Sequence, residues 1–379
     1  MIAANIDCSL STKDFDSDII QNKTINDFTF LLEDSYFLSD YEIRVRNMKA
    51  NIYDVVKKSG LSVVTVSRVI NNASSVRKYY RDKVLKAMEE LGYDPNFAAR
   101  SLAKGKTGII GLVLPVFKDE FFNAVVEEIN TSLNESGYFL AMSLEERNGN
   151  AQVSNYLFQE KRVDGIILLS PRFEDEYIIE LMKKKIPFVL LDNQKIQSAA
   201  SSVLIDNYKG GYRVTQHLIG LGHKKIAFIS GSDLYLSNRE RKRGYEEALK
   251  DAGIQPFAID GDQFDATVGS KVTAKWLDSG HVPTAIFAAD DNIMLGAYDA
   301  IRERGLDVPT DISLIGYDDD PLSSKLHPYF STVKQPATEM GKKAVEILVQ
   351  LIDKKFKENT LVMLEPELVL RKSTASPKI

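Results

Sequence analysis

From Gly108 onward the apolar residues change period, and that change decides what the chain can become. Runs of strand length alternate with helical patterns: IIGLVLP and then 120–137, YFLAMS and then 151–161, GIILLS and then 174–184, and PFVLL. A second series opens at SSVLI with 207–221. It continues through KIAFIS with 238–252, a helix around 268–277, TAIFAA with 292–304, and ISLIGY. Strands that are apolar on both faces need cover on both faces, which helices returning between parallel strands provide. Two series of five or six units therefore predict two doubly wound lobes rather than one large sheet. Sheets of this kind hold small molecules at the carboxyl ends of their strands.

The residues ahead of Gly108 follow another rule. Asn51 can cap a short helix with Ile52, Val55 and Val56 on one apolar stripe. Gly60 stands where a left-handed exit residue is wanted, and Ser62 can cap a second helix. That helix keeps Val66, Val69 and Ile70 for a core and leaves Val63, Val64, Thr65, Ser67 and Arg68 outward. A third helix carries Val84, Ala87, Met88 and Leu91 and stops at Gly92. Helix, glycine turn and second helix form the helix-turn-helix pattern, whose second helix fits the major groove of DNA; an ordinary helical hairpin has the same periodicity.

Net charge adds an independent observation. Residues 48–107 hold 5 acids and 12 bases, a net of +7, while residues 1–47 carry −5 and residues 108–379 carry −7. A basic head on an acidic body is the electrostatic footprint of a nucleic-acid binder. The 379 residues suffice for two or three domains, and 44% apolar with 27% charged residues is a globular composition. No apolar run approaches the 18 or so residues of a membrane span. The start, MIAANIDCSLSTKDFD, shows neither the basic nor the apolar region of a signal peptide, and one cysteine, Cys8, allows no internal disulfide. A cytoplasmic protein is expected.

Enzyme signatures are missing. Gly105-Lys106-Thr107 imitates a phosphate-binding loop, but the matching first glycine falls on Arg100 and a strand follows instead of a helix. His217, His223, His281 and His327 lack metal-ligand spacing, and there is no G-x-S-x-G elbow. No enzyme, metal or cofactor is expected.

The runs IYDVVKKSGLSVVTVSRVIN, ELGYDPNFAARSLAKGKT and IIGLVLP closely resemble the start of the lactose-repressor (LacI/GalR) family of bacterial transcription regulators. RVDGIILLS, HLIGLGHKKIAFISG, PTAIFAADD, DISLIGYDD and STVKQPATEMG continue the resemblance in family order, over about 330 residues. It implies a small all-α headpiece (48–94) and a hinge helix (95–104). A two-lobed, periplasmic-binding-protein-like, doubly wound α/β effector domain (105–379) would follow. Its lobes would comprise about 108–207 with 336–365, and 208–335 with 366–371. Residues 1–47 fit nothing in the family and read as a disordered extension or a mis-assigned start, since MKANIYDV is a family-like beginning.

The implied function is a DNA-binding transcription regulator, a repressor of carbohydrate-use genes. A sugar or sugar phosphate would change the angle between lobes, part the hinge helices and weaken operator binding. The alternatives are a catabolite-type regulator answering to a phosphoprotein partner and a sugar-binding transport component. The basic head and absent signal peptide oppose the latter. A homodimer on a pseudo-palindromic operator is expected, not a tetramer, because only eight residues follow Arg371 and form no leucine heptad.

For DNA, Arg68 can fork onto guanine, Val63 and Val64 can meet thymine methyls, and Thr65 completes the outward face. Tyr53, Ser67 and Asn71 are placed for phosphates. The hinge contributes Ala99 and Leu102, and the resemblance implies that the leucine wedges into the minor groove. For the effector, the positions just past the strands are Asp119, Phe121, Phe122, Ser170, Asp192, Asn193, Arg239, Phe264, Asp290, Asp318 and Gln335. Carboxylates and an arginine take paired hydroxyls, and aromatic faces cover the C–H surface of a sugar ring. SNRERKRGY matches the family motif with the ligand-clamping arginine, which puts that role on Arg239, with Asp290 and Asp318 expected to hold it in place. Asp290 stands where asparagine is commoner.

Overall fold

The computed structural model describes residues 50–71, 73, 75–94, 105–115, 120–145, 156–159, 162–196, 200–320, 329–354 and 359–378. The expected hinge helix, residues 1–47, Asp119 and most of the helix expected over 151–161 lie outside them; within the last, Tyr156–Phe158 form a short 3-10 turn. The chain divides into two compact units between Arg100 and Ser101.

The first unit contains α1 (Ile52–Ser59), α2 (Val63–Ile70) and α3 (Lys78–Leu91). Asn51 caps α1 reciprocally: its Oδ1 accepts from the Tyr53 amide at 2.8 Å, and Asp54 Oδ2 accepts from the Asn51 amide at 2.9 Å. This capping box satisfies donors that a helix start leaves open. Gly60 ends α1 at φ 64°, a left-handed conformation costly for any residue with a Cβ. Ser62 Oγ then accepts from the Thr65 amide to start α2. Val55, Val66, Val69, Val84 and Ala87 meet in the core, with Ile70, Met88 and Leu91 packed against them. The apolar stripes expected from periodicity thus close one small core.

The second unit has two lobes. The first is a parallel sheet in the order β11-β5-β4-β3-β1-β2, built from β1 (Ile109–Leu114), β2 (Phe139–Leu144), β3 (Gly165–Leu169), β4 (Phe188–Leu191), β5 (Ser202–Ile205) and β11 (Leu361–Leu364). The period-2 rule explains its two covers. Ile110, Leu112 and Leu114 of β1 face α4 (Glu120–Glu135) and α10 (Ala337–Ile352), whereas Val113 and its neighbours Ile166 and Leu168 face α5 (Glu174–Lys184). The strand SSVLI, which the sequence placed at the head of the second series, pairs with β4 and β11 and so completes the first lobe.

The second lobe has a parallel sheet in the order β7-β6-β8-β9: β6 (Ile226–Ile229), β7 (Ala258–Asp260), β8 (Ala285–Ala288) and β9 (Ser313–Ile315). Its helices are α6 (Asn207–Gly220), α7 (Leu236–Asp251), α8 (Ala266–Asp278) and α9 (Asp291–Glu303). An antiparallel pair, β10 (Thr332–Lys334) with β12 (Glu367–Val369), lies beyond β9. At Gly244, α7 approaches α6 so closely that a Cβ would strike the Tyr208 carbonyl oxygen, which sets the middle of α7 against the start of α6. This lobe continues past Arg371: Leu314 donates to the Ser373 carbonyl, and buried His223 donates through Nε2 to Ala375 O (2.8 Å), with Ser313 Oγ 3.1 Å from the same nitrogen.

Both sheets share one logic of connection. In the first, β1 lies between β2 and β3; in the second, β6 lies between β7 and β8. The connections leave these central strands in opposite directions, which opens a crevice at their carboxyl ends. The first lobe's crevice is flanked by the segments after β1 and β3, the second's by those after β6 and β8. Residues 194 and 239, in direct contact, join the two lobes there.

Candidate functional site

On the first unit, the outward face of α2 is as its period requires. Val64 is 61% exposed, Val63 is 39% exposed, and Arg68 lies open to solvent. Tyr53 on α1 is 69% exposed. Thr65 and Ser67 are half-buried, and Thr65 Oγ1 shares a 3.0 Å hydrogen bond with Ser62 Oγ. Asn71 caps the end of α2, its Nδ2 donating to Ser67 O at 2.9 Å and lying 3.4 Å from Ser67 Oγ. A phosphate would have to win that amide from the helix end. Ala99 and Leu102 fall outside the described residues. Exposed Tyr79 and Tyr80, beside Arg77 and Lys78 at the start of α3, went unnoticed in the sequence. Their basic, aromatic composition was the available signal.

In the second unit the residues expected to line the crevice take several different roles. Ser170, Asp192 and Asp318 follow β3, β4 and β9 with φ of 47°, 46° and 108°. Non-glycine residues in this region are strained, and such strain concentrates at functional sites. On the first lobe, Ser170 is fully buried and Asp192 half-buried. Asn193 is also fully buried: its Nδ2 donates to Lys195 O at 2.5 Å, while its Oδ1 has no donor among the described residues. An unpaired buried acceptor costs about 1–3 kcal/mol. Burial raises the neighbouring Glu174 carboxyl, although Glu174 Oε2 accepts from the Gln194 amide at 2.5 Å.

Phe121 is half-buried at the start of α4. The ring of Phe122 belongs to the first lobe's core, so it supports the crevice instead of lining it. Asp119 is not among the described residues. On the second lobe, Phe264 covers Gly231 and meets Tyr235 edge-on, with ring centroids 5.9 Å apart. Asp290 caps α9, its Oδ1 accepting from the Ile293 amide at 2.7 Å.

Two of the three arginines in the SNRERKRGY run, Arg239 and Arg241, divide the work differently from the expectation. Arg239 donates to three backbone carbonyls: Asp233 (2.7 Å) and Leu234 (3.0 Å) on its own lobe, and Gln194 (2.9 Å) on the other. The guanidinium beside Asp318 is that of Arg241. It is 4% exposed, lies 3.3 Å from Asp318 Oδ1, donates to Asn207 Oδ1 (2.9 Å) and Ala289 O (2.6 Å), and sits 3.7 Å from the Tyr317 ring centre. Gln335 Nε2 completes the cluster at 2.6 Å from Asp318 Oδ1. Helical register carried the signal for Arg241. Tyr245, Ala248 and Leu249 are buried, and the same face contains Asn238 and Arg241 but not Arg239.

Below this cluster Asp291 is buried. Its oxygens accept from Thr332 Oγ1 at 2.8 Å and from the Asp320 amide at 3.0 Å. Burial, with the Asp318 charge adding to it, holds its carboxyl well above the usual carboxylate range. No cluster of metal-ligating side chains occurs among the described residues. None of the described helices is long and apolar enough to cross a membrane.

Known proteins share this combination of units. Residues 51–96 match the family described as bacterial regulatory proteins, lacI family, and residues 215–374 match the periplasmic binding protein-like domain. Catabolite control protein A of Priestia megaterium is 33% identical over 334 residues, covering 86% of this chain and 100% of that protein. The lac repressor dimer bound to operator and the anti-inducer ONPF superimposes with a TM-score of 0.78 at 33% identity, over 86% of this chain and 99% of that one. A complex of the transcriptional regulator CelR with cellobiose gives 0.64 at 30% identity, over 86% and 99%. Carrying both the family's DNA-binding headpiece and its two-lobed α/β body, this chain belongs to the lacI family of bacterial regulatory proteins and is a DNA-binding transcription regulator.

Proposed function

We propose that the protein is a dimeric repressor of carbohydrate-use genes whose operator affinity is set by a sugar or sugar phosphate held between the lobes. The observation that carries the sugar reading is the crevice chemistry. On the first lobe a buried acceptor without a donor among the described residues, Asn193 Oδ1, accompanies Ser170 and Asp192; the second lobe adds Asp290, Asp318, Arg239 and the Phe264 ring, with Gln335 beside Asp318. Hydroxyl groups both donate and accept, so they suit such a mixed lining, and the ring of Phe264 suits a C–H face. The fold's likeness to a regulator in complex with cellobiose supports the same ligand class.

On the DNA, Arg68 takes guanine and Val63 and Val64 take thymine methyls, with Thr65 beside them, while Tyr53 and Ser67 set register on phosphates. The hinge residues Ala99 and Leu102 enter the minor groove at the centre of a pseudo-palindrome. Two protomers of 42.5 kDa form the binding species, so sedimentation is expected to give about twice that mass. The ligand couples to DNA only through different affinities for two lobe arrangements, commonly about 1–3 kcal/mol or 5–150-fold.

The test selects operator fragments from a random DNA library, then titrates mono- and disaccharides and their phosphates against the bound fragment. The expected result is a palindromic preference and one sugar class that shifts affinity at least fivefold. Binding without sequence preference would overturn the operator reading. A clear response to nucleobases or amino acids, with none to sugars, would overturn the effector class.

A further inference from the structure

Gln194 belongs to none of the candidate sets above, yet it makes two hydrogen bonds across the crevice. Its place is two residues past the strained turn at Asp192. On its own lobe it is secured at three points: its amide donates to Glu174 Oε2 (2.5 Å), and its Nε2 lies 3.2 Å from Asp192 O and 3.4 Å from Ser170 Oγ. Toward the other lobe it offers two acceptors. Its Oε1 accepts from the Leu236 amide at 2.8 Å, and its backbone carbonyl accepts from Arg239 Nη2 at 2.9 Å.

Leu236 is the first residue of α7, and the first amides of a helix have no partner within it. A side chain just before the helix ordinarily supplies one, but the residue in that position is Tyr235, which makes no capping hydrogen bond. The cap is provided instead by a side chain of the opposite lobe. Because Ser170, Asp192 and Glu174 hold the Gln194 amide group in place, little freedom is lost when the lobes meet.

We propose that Gln194 is the latch between the lobes: it caps α7 in trans through Oε1 and anchors Arg239 through its carbonyl, so that closure of the crevice and order at the start of α7 are one event. The proposal rests on the crevice being the effector site. It adds that a ligand drawing Arg239 toward itself competes with Gln194 for the same guanidinium. Gln194 is thus a positioning residue for the ligand's principal donor and sets the balance between open and closed lobes before any ligand arrives.

The test requires no ligand, which separates it from the sugar titration above. Amide hydrogen exchange is followed by mass spectrometry, with fragmentation to single-residue resolution, on the full-length protein and on Gln194→Met and Gln194→Glu. Methionine keeps the length of the side chain and removes the acceptor; glutamate keeps an acceptor at the same distance. The expected result is slow exchange at Leu236 in the native protein and at least tenfold faster exchange in Gln194→Met. Gln194→Glu should retain most of the protection, and amides near the middle of α7 should be unchanged in all three. Rapid exchange at Leu236 in the native protein would overturn the latch, as would equal rates in the native and methionine proteins. Failure of either variant to fold leaves the native-protein measurement decisive. A latch confirmed in a protein that ignores every sugar would leave the inference standing and remove the sugar reading.

Discussion

Replacing Arg241 with methionine should destabilise the second lobe severely. Arg241 is 4% exposed and paired with Asp318 Oδ1 at 3.3 Å, so its removal takes the guanidinium away from a largely buried carboxylate to which Gln335 also donates. Breaking one side of a buried pair typically costs about 3–5 kcal/mol. The stacking on Tyr317 and the hydrogen bonds to Asn207 and Ala289 are lost as well. Methionine recovers part of this by filling the volume, which places the expectation near 3 kcal/mol, a large share of the 5–15 kcal/mol available to a folded domain. Urea unfolding followed by tryptophan fluorescence suits the measurement, because the single Trp276 is buried in the second lobe's core. If the orphaned charge causes the loss, Arg241→Met with Asp318→Asn should be more stable than Arg241→Met alone by roughly 1 kcal/mol or more, since the double variant removes both partners. A loss below about 1 kcal/mol in the single variant, or purely additive losses in the double, would refute the reasoning.

Arg239→Ala should behave oppositely, with nearly unchanged stability but at least tenfold weaker sugar binding by calorimetry, since charge-assisted hydrogen bonds are worth about 1.5–3 kcal/mol each; unchanged sugar affinity would remove Arg239 from the ligand site. Arg68→Ala should weaken binding to the selected operator by about 1–3 kcal/mol and relax its preference at one base pair, with little effect on random DNA. Equal losses on both DNAs would show that Arg68 meets only phosphate. Asp291 predicts a pH dependence whose sign is set by its raised carboxyl: the folded state holds this proton more tightly than the unfolded chain. Its stabilising contribution is therefore complete below the ordinary aspartate range and is lost as pH rises through the raised folded value. The urea midpoint of the native protein, relative to that of Asp291→Asn, should fall across that window, and parallel midpoint curves would contradict the assignment.

What could be read in the sequence was whatever burial imposes on a periodic pattern. IIGLVL and KIAFI are apolar on both sides because both sides are covered, so their strands and the intervening helices followed directly. Ala258–Asp260 and Glu367–Val369 escaped notice because short strands at the margin of a sheet keep polar residues and show no such run. The apolar pattern alone set SSVLI at the head of the second series, whereas the family resemblance kept 108–207 in one lobe; its pairing with Leu190 and Val362 is a tertiary fact that a local pattern does not contain. Phe122 shows the same limit on a smaller scale: a residue after a strand end can face the crevice or the core, and here it faces the core. The distinction between Arg239 and Arg241 was legible in principle from the register of α7. The resemblance to a ligand motif drew attention to the first and away from the second.

The position at which the chain enters the α/β unit constrains how a ligand could influence the headpiece. The amides of Thr107 and Gly108 both donate to the Asp164 carboxylate, at 2.6 and 2.7 Å, and Lys106 reaches Asp353 at 3.2 Å. Asp164 immediately precedes β3, and Asp353 ends α10, so both anchors belong to the first lobe. A carboxylate accepting two backbone amides fixes direction as well as position, which makes residues 105–108 an extension of that lobe. Movement of the second lobe reaches residues 106–108 through the first lobe, to which these anchors tie them. It must act by reorienting the first lobe, or by changing what the first lobe meets in a partner protomer. That requirement gives the interlobe contacts their significance. Gln194 extends from the same lobe as Asp164, at the far end of neighbouring strands, and a small rotation of the sheet moves both ends together. The crevice contacts of Gln194 at one end and the anchoring of the chain at the other are thus linked through β3 and β4, whose buried faces resist bending independently.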